Sequence, residues 1–339
     1  MATIQDVAKH AGVSIATVSR VLNGSAYVNK EVAARVQAAV KELQYQPSRA
    51  AQALRANRSR IIGLLISDIQ NPFFTALIRG VEDVAQRNGY SLILCNSDEN
   101  PQKEHQYIEV LCAERVAGAI VVPTSEQPQK LRLFREHAIP LVSVDRRVKD
   151  RVTDAVLTDN VGGAYEAVTH LISNGYRRIG VITGPVSTTT GRERLEGYRK
   201  ALQQAGIVGD PLLERIDDFK EDGGRVCTNA LLDLEAPIDA LFVTNNLMTL
   251  GALEAIHVRN LRVPDDIAVV GFDEMPWATL SAISLTTVTQ PVYELGSTAA
   301  LRLFQRLQDP TAFTRQEIVL APTLHIRDST RPRSPTISS

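Results

Sequence analysis

Residues 14–45 carry side chains that suit hydrogen bonding and apolar contact with double-stranded DNA. Arg20 has a guanidinium that can donate two parallel hydrogen bonds to a guanine edge, which discriminates between bases by ~1–3 kcal/mol. Ile15 and Ala16 can make only apolar contacts, such as with a thymine methyl group. Short or rigid polar groups suit phosphate oxygens, and four of them are Ser14, Thr17, Asn23 and Tyr45. These residues predict a DNA interface, although packed helix pairs also occur in ordinary cores.

The same segment predicts the helices that would present these side chains. Thr3 and Asp6 have the spacing of a capping box at the start of a first helix. Ser14 is a favourable N-cap for a second helix from Ile15 to about Leu22, and Asn29 for a longer third one. Two helices joined by a tight turn form a helix-turn-helix unit, whose second helix fits the major groove of DNA.

The distribution of charge favours the same interpretation. Residues 1–60 contain nine Lys or Arg and three acids, a formal charge of +6. The rest of the chain contains 28 bases and 35 acids, a charge of −7, so the total of −1 conceals a basic head on an acidic body. A basic head indicates that this part of the chain contacts a polyanion.

Beyond Arg60 the sequence alternates apolar strands with amphipathic helices. Continuous apolar strands of this kind are typical of parallel sheets covered on both faces. Seven units exceed one compact sheet, so the fold class is α/β, with an N-terminal all-α head followed by two doubly wound subdomains. We expect the chain to cross between the subdomains near Asp159 and again near Gln290. The predicted strands are Ile61–Ile66, Ser91–Cys95, Gly118–Val122, Leu141–Val144, Ile179–Thr183, Ala240–Thr244 and Ile267–Gly271.

Several classes of protein are disfavoured by what the sequence lacks. No apolar run reaches the ~18 residues of a membrane span, and the N-terminus has no signal-peptide pattern, which predicts a cytoplasmic protein without a membrane partner. The six histidines are dispersed, and no phosphate loop or nucleophile elbow occurs, so we expect no catalytic residues, no metal and no cofactor. Three scattered cysteines, Cys95, Cys112 and Cys227, are expected to be small buried apolar residues.

Runs of residues along the whole chain resemble one family of bacterial regulators. They are Thr3-Ile4-Gln5-Asp6-Val7-Ala8, Gly12-Val13-Ser14, Thr17–Asn23, Leu43–Ser48, Gly271-Phe272-Asp273 and Leu285–Pro291. The sequence is similar in these runs to the LacI/GalR family of transcription regulators. The resemblance implies a helix-turn-helix domain over 1–46, a hinge helix over 47–58, and a periplasmic-binding-protein-like effector and dimerisation core over 59–328. The last segment, 329–339, is predicted to be a flexible tail.

The resemblance assigns further roles to single residues. Leu54 stands where the family inserts a leucine between central base pairs of its operator, although it could also be an ordinary interdomain contact. The residues that match the family's effector positions are Phe73, Asp145, Arg194, Phe219, Asn245, Asp273 and Gln290. Alternatives remain for some of them, because Phe73 could belong to the core, Asp145 could form a surface ion pair, and Arg194 and Asp273 could be purely structural partners. Asn246 stands where the family usually has aspartate.

The implied function is a repressor that binds a pseudo-palindromic DNA operator as a homodimer and is released by a small sugar. The runs around Asn71–Phe74 and Arg192–Tyr198 look most like the branch that contains the ribose repressors, which favours a pentose or related monosaccharide. Control by a phosphorylated protein partner or by a co-repressor ligand remains an alternative within the family. A solute-binding module or a metabolic enzyme fits less well, because neither explains the basic head.

Overall fold

A computed structural model describes residues 2–22, 28–45, 59–275, 284–309 and 314–333. The chain forms two compact units, Met1–Ser59 and Arg60–Ser339, called the head and the body below. The predictions for Asn23 and Leu54 lie outside the described residues. No helix in the described ranges is long and apolar enough to cross a membrane.

Within residues 2–22 and 28–45, the head forms the helices α1 (Ile4–Ala11), α2 (Ile15–Leu22) and α3 (Lys30–Glu42). The predicted capping box of α1 is present, with the side chains and backbone N–H groups of Thr3 and Asp6 bonded reciprocally. Gly12 ends α1 in the left-handed region at φ 64°, which glycine adopts without strain. The hydroxyl of Ser14 accepts the backbone N–H of Thr17, as expected for an N-cap. These local signals confirm the predicted helix-turn-helix.

A small apolar core holds the three helices of the head together. Its buried residues come from one face of each helix and are Val7, Ala8, Ala11, Val18, Val36 and Ala39. The residues of α1 recur at the three- and four-residue spacing from which the helix was predicted. The opposite face of α2 does not belong to this core.

The body contains two six-stranded sheets with helices on both faces. The first sheet has the order β11-β5-β4-β3-β1-β2, and the second has the order β12-β10-β9-β8-β6-β7. All pairings are parallel except that of β10 with β12. The strands are β1 (Ile61–Ile66), β2 (Ser91–Asn96), β3 (Gly118–Val121), β4 (Leu141–Val144), β5 (Asp154–Thr158), β6 (Ile179–Thr183), β7 (Glu214–Ile216), β8 (Ala240–Val243), β9 (Ala268–Phe272), β10 (Thr286–Thr289), β11 (Glu317–Leu320) and β12 (Thr323–His325).

The helices of the body mostly follow the strands in alternation, as in a doubly wound fold. They are α4 (Pro72–Arg87), α5 (Pro101–Ala113), α6 (Arg132–Glu136), α7 (Asn160–Ser173), α8 (Thr189–Gln204), α9 (Glu221–Leu232), α10 (Asn246–Val258) and α11 (Val292–Gln308). Each sheet with its helices forms a lobe, the first lobe built on β1–β5 and β11 and the second on β6–β10 and β12.

The chain crosses between the lobes three times. Two crossings follow β5 and β10, beside the predicted positions Asp159 and Gln290. The third was not predicted, and it lies between β11 and β12, which belong to different sheets. These two short strands alternate exposed and half-buried residues, so they lack the continuous apolar run from which the other strands were predicted.

The predicted flexible tail is wrong for its first residues. Ser329 and Thr330 are buried, and the Ser329 hydroxyl donates to the carbonyl of Val269 while accepting the backbone N–H of Thr286. Arg333 makes an ion pair with Asp239 at 2.8 Å. Residues 329–333 therefore belong to the second lobe, because hydrogen bonds hold a segment whose composition is too polar to predict burial.

Candidate functional site

The exposed face of α2 carries most of the residues predicted to contact DNA. Ser14, Ile15, Ala16 and Arg20 are exposed, and Ile15 is 38% accessible although it is a large apolar residue. Thr17 and Tyr45 are half-buried, and Tyr45 packs against the core of the head. Exposure of a large apolar side chain to water is unfavourable in itself. An exposed isoleucine and an exposed arginine on the same short helix nevertheless suit a surface that contacts base edges.

A cavity that is partly open to solvent lies in the body at the carboxyl ends of the strands. All seven predicted effector residues line it, and each is buried, with at most 8% of its surface accessible. They come from both lobes: α4 follows β1, Asp145 follows β4, Arg194 lies on α8 after β6, and Asp273 follows β9. Doubly wound folds bind ligands at this edge of their sheets.

The backbone around the cavity adopts an unusual conformation. Glu99, Asp145, Phe219 and Asp273 all line the cavity and have φ between 55° and 76°, in the left-handed region that side chains with a Cβ rarely adopt. Such conformations each cost of order 1–3 kcal/mol and cluster at ligand sites. The left-handed backbone sets the directions of these four side chains near the strand ends. The clustering of such conformations around the cavity supports a binding role for it.

Aromatic rings form two apolar walls of the cavity. Phe73 and Phe74 meet edge to face with their ring centroids 5.0 Å apart. Phe219 is on the other lobe, and its ring packs against Gly184, where a Cβ would lie 2.0 Å from the ring. The guanidinium of Arg146 lies 5.2 Å from the centre of the Phe219 ring. The rings therefore combine apolar surface with an adjacent hydrogen-bond donor.

Arg194 is fixed by contacts within the second lobe. Its Nε donates to Asn160 at 2.8 Å, its Nη1 donates to the carbonyl of Thr244 at 2.6 Å, and the guanidinium stacks 3.8 Å from the centre of the Phe272 ring. Asp273 Oδ2 is 3.7 Å from Nη1. Burial lowers the pKa of Arg194 and raises the pKa of Asp273. The pair is thus a charged, poorly solvated couple that leaves Nη2 of Arg194 without a hydrogen bond among the described residues.

A second charged group lies in the first lobe. Arg146 donates two hydrogen bonds to the carboxylate of Glu99, at 2.7 and 2.6 Å. Burial raises the pKa of Glu99, but the charge and hydrogen bonds of Arg146, together with Ser67 and Lys220, hold it below its usual value. Asp145 has no such bidentate partner, and burial raises its pKa to about 6 against the opposing attraction of Arg146 and Arg194. The alternative of a surface ion pair at Asp145 is excluded, because Asp145 is buried and its contact with Nε of Arg146, at 3.6 Å, is buried as well.

The two lobes touch through hydrogen bonds and ion pairs beside the cavity. Gln290 accepts from the Thr158 hydroxyl of the first lobe and donates to Asp273 of the second. The amide of Asn246 donates to Oδ1 of Asn71 across the cleft at 2.8 Å. Asn246 therefore contributes a neutral interlobe bond where the resemblance leads us to expect a carboxylate.

The cavity has six further lining residues that we did not predict as ligand contacts: Asp68, Asn71, Phe74, Glu99, Arg146 and Thr190. Three of them stand next to predicted residues or within one of the quoted runs, so adjacency was a usable signal. Asp68, Glu99 and Thr190 gave none. Thr190 is notable because its buried hydroxyl has no hydrogen-bond partner in the described part of the chain, and the same holds for Nε of Arg146. Unsatisfied polar atoms in a cavity wall suit a ligand with hydroxyl groups.

Comparison with known proteins identifies the family. Residues 3–48 match the model described as "Bacterial regulatory proteins, lacI family", and residues 168–330 match a "Periplasmic binding protein-like domain". The chain is 40% identical over 333 residues to the ribose operon repressor of Halalkalibacterium halodurans, with 98% of each chain covered. The chain belongs to the LacI family. It is a ligand-responsive transcriptional repressor and not an enzyme, as the sequence predicted.

Solved structures of other LacI-family members have the same architecture. The lac repressor dimer bound to operator and the anti-inducer ONPF has a TM-score of 0.85 and 29% identity, with 97% of this chain and 99% of that chain covered. A LacI-family regulator from Enterococcus faecium with bound ribose has a TM-score of 0.73 and 30% identity, with 81% of this chain and 100% of that chain covered. The helix-turn-helix head and the two-lobed α/β core are thus features of the family.

Proposed function

We propose that the chain represses transcription from a pseudo-palindromic operator as a homodimer, and that ribose or a closely related pentose binds in the body cavity and releases the operator. The observation that carries this proposal is the convergence of Phe73, Phe219, Arg194, Asp145 and Asp273 on one buried cavity. Two relatives support the choice of sugar, since one is named a ribose operon repressor and another contains ribose.

The chemistry of the cavity fits a small polyol. Neighbouring hydroxyl groups are recognised best by charged groups that donate or accept hydrogen bonds in pairs. The carboxylates of Asp145 and Asp273 can accept such pairs, Arg194 adds a single donor through Nη2, and Asn245 and Gln290 add amides. The Phe73 and Phe219 rings offer apolar surface for the C–H face of a sugar ring.

The DNA side of the proposal rests on the exposed face of α2. Arg20 would bind a base edge, Ile15 and Ala16 would contact a thymine methyl group, and Ser14 and Thr17 would bind phosphates, together with Asn23 and Tyr45. One recognition helix reads half of a two-fold site, so a dimer is required for a pseudo-palindrome. Leu54 would then wedge between central base pairs, which bends the duplex toward the major groove.

The position of the cavity between the two lobes explains how a ligand would control DNA binding. A ligand in the cavity would contact both lobes and favour one angle between them, which changes the spacing of the two segments that carry the heads. Binding of DNA and of effector must then be coupled reciprocally, by ~1–3 kcal/mol in an ordinary case. A regulator of this kind acts in the cytosol, where it meets its operator.

The test combines operator binding with calorimetry on the full chain. An operator is first selected from random DNA, and its affinity is then measured with and without ribose. We expect ribose to bind and to weaken operator binding, and Arg194→Lys to abolish the response while retaining DNA binding. Arg199→Lys is the matched control, because Arg199 is on the same helix but exposed and bonded to Glu214.

Each contrary result is informative. If ribose strengthened operator binding, the chain would be co-repressed, and the assignment of release would be wrong. If no sugar bound while DNA binding persisted, the pentose assignment would fail, and a phosphorylated protein partner would become the leading alternative. If no DNA sequence were selected, the assignment of the α2 face would fail.

A further inference from the structure

The charges that line the body cavity are unbalanced. Four carboxylates line it, from Asp68, Glu99, Asp145 and Asp273, against only two guanidiniums, from Arg146 and Arg194. Lys220 lies beside the cavity, but its ammonium group is already shared between Asp68 at 2.7 Å and Asp98 at 3.0 Å. The lining therefore carries a formal excess of two negative charges before any ligand enters.

The two guanidiniums are not available to balance a further anion. Arg146 is committed through both terminal nitrogens to Glu99, and only its Nε remains. Arg194 donates from Nε and Nη1 to Asn160 and Thr244. Each arginine can thus offer a single nitrogen, which suits a hydroxyl oxygen. A phosphate group is usually held by paired donors from a guanidinium fork.

Helix N-termini are the other common anion sites, because their first backbone N–H groups lack partners within the helix. Three helices have a cavity-lining residue at the N-cap or in the first turn, and in each of them a side chain of the chain itself accepts from that turn. The helices α9 and α11, which begin just after the lining residues Phe219 and Gln290, have no side-chain cap. Asn71 accepts the N–H of Phe73 in α4, Thr188 accepts that of Gly191 in α8, and Asn245 accepts that of Met248 in α10. These caps reduce the number of donors that a phosphate could use.

We infer that the cavity selects the uncharged sugar and rejects its phosphate esters. The inference rests on the proposed function and adds the charge class of the effector.

The test is a calorimetric titration of the full chain with matched pairs at pH 7.5: ribose with ribose 5-phosphate and with ribose 1-phosphate, and glucose and fructose with their 6-phosphates. We expect the neutral member of the binding pair to bind at least about 100-fold more tightly, since uncompensated like charges in a buried site cost several kcal/mol. An ester that binds within tenfold of its parent, or more tightly, overturns the inference.

The pairs also separate this inference from the proposed function. If a hexose binds and ribose does not, the pentose assignment fails. The ratio of affinities within the hexose pair still tests the preference for the uncharged sugar. If no member of any pair binds, both are overturned.

A variant pair tests whether the lining carboxylates cause the discrimination. Glu99→Gln removes one lining charge and releases the guanidinium fork of Arg146, so the ratio of neutral to ester affinity should fall about tenfold. Glu126→Gln is the control, because Glu126 is also buried and forms two hydrogen bonds with Arg192 but does not line the cavity. It should leave the ratio unchanged even if it weakens both ligands. An unchanged ratio in Glu99→Gln would contradict the assignment.

Discussion

Gln290 holds Asp273 in place, because its Nε2 donates to Oδ1 of that carboxylate while its Oε1 accepts from the hydroxyl of Thr158. Thr158 ends the last strand of the first lobe before the first crossing, and Asp273 belongs to the second lobe. One amide thus spans the boundary between the lobes at the wall of the cavity. Its position couples the orientation of a ligand-facing carboxylate to the angle between the lobes.

Replacing this amide should therefore affect both binding and coupling. In Gln290→Ala, Asp273 loses a buried donor, which costs about 1–3 kcal/mol. We expect effector affinity to fall by at least tenfold and the effect of effector on operator affinity to shrink. Thr158→Val is the matched control, since it removes only the bond to the first lobe and leaves Asp273 bonded. Calorimetry and operator titrations measure the two quantities, and equal losses in both variants would contradict a special role for the Asp273 bond.

The pKa of Asp145 predicts a pH dependence of effector binding. Burial raises this pKa to about 6, so the carboxylate is mostly ionised at pH 7.5 and mostly protonated at pH 5. If the ionised form accepts the hydrogen bonds of a sugar, affinity should be constant above pH 7 and fall toward tenfold per pH unit below pH 6. Titrations between pH 5 and 8 measure this, and Asp145→Asn should lose the dependence. A flat wild-type profile would remove Asp145 from the ligand contacts.

The same raised pKa affects stability in the opposite direction. The folded chain holds a proton on Asp145 more tightly than the unfolded chain does. The free energy of unfolding therefore decreases as pH rises from about 4 to 6, and the destabilising effect of Asp145 is complete above pH 6. Asp145→Asn should then unfold at a higher denaturant concentration than the wild type at pH 7.5, with a smaller difference at pH 5. If Asp145→Asn were less stable than the wild type at pH 7.5, the ionised carboxylate of Asp145 would be needed to balance the buried charges of Arg146 and Arg194.

Asn246 offers a test of the position at which the resemblance leads us to expect aspartate. Its Nδ2 donates to Oδ1 of Asn71, and that oxygen also accepts the N–H of Phe73. In Asn246→Asp a carboxylate oxygen would face an acceptor, so the interlobe bond is lost and replaced by repulsion. We expect effector affinity to fall more in Asn246→Asp than in Asn246→Ala, which only deletes the bond. Calorimetry on both variants decides this, and a tighter-binding Asn246→Asp would show that the bond opposes ligand entry.

The sequence predicted strands that are continuous apolar runs, such as Ile61–Ile66. It missed β5, β7, β10, β11 and β12, whose apolar runs are shorter or interrupted by polar residues. Thr286–Thr289 is buried because its hydroxyls and backbone find partners in Glu274 and in the segment at Ser329, far along the chain. Such partners cannot be recognised from local hydrophobic patterning. The same reason explains the false tail prediction, since burial of a polar segment depends on bonds made by tertiary contact.

The cavity was predictable in part. The seven residues brought together there were chosen by resemblance to a family, not by spacing. The contacts that fix their charge state join residues such as Glu99 and Arg146, or Asn71 and Asn246, which are 47 and 175 positions apart. A raised pKa at Asp145 depends on burial and on both lobes, so it became visible only in the folded chain.

The assignment of α2 as the recognition helix leads to a prediction about base preference. Arg20 is exposed near the end of α2, and its guanidinium can bond two acceptors of one guanine. Arg20→Ala should relax the preference at one position of each half-site by ~1–3 kcal/mol, while preferences elsewhere persist. Arg35→Ala is the matched control, because Arg35 is also exposed but lies on α3, so its loss should weaken binding to all sequences alike. Binding-site selection on both variants measures the preferences, and an unaltered selected sequence for Arg20→Ala would exclude this residue from base contact.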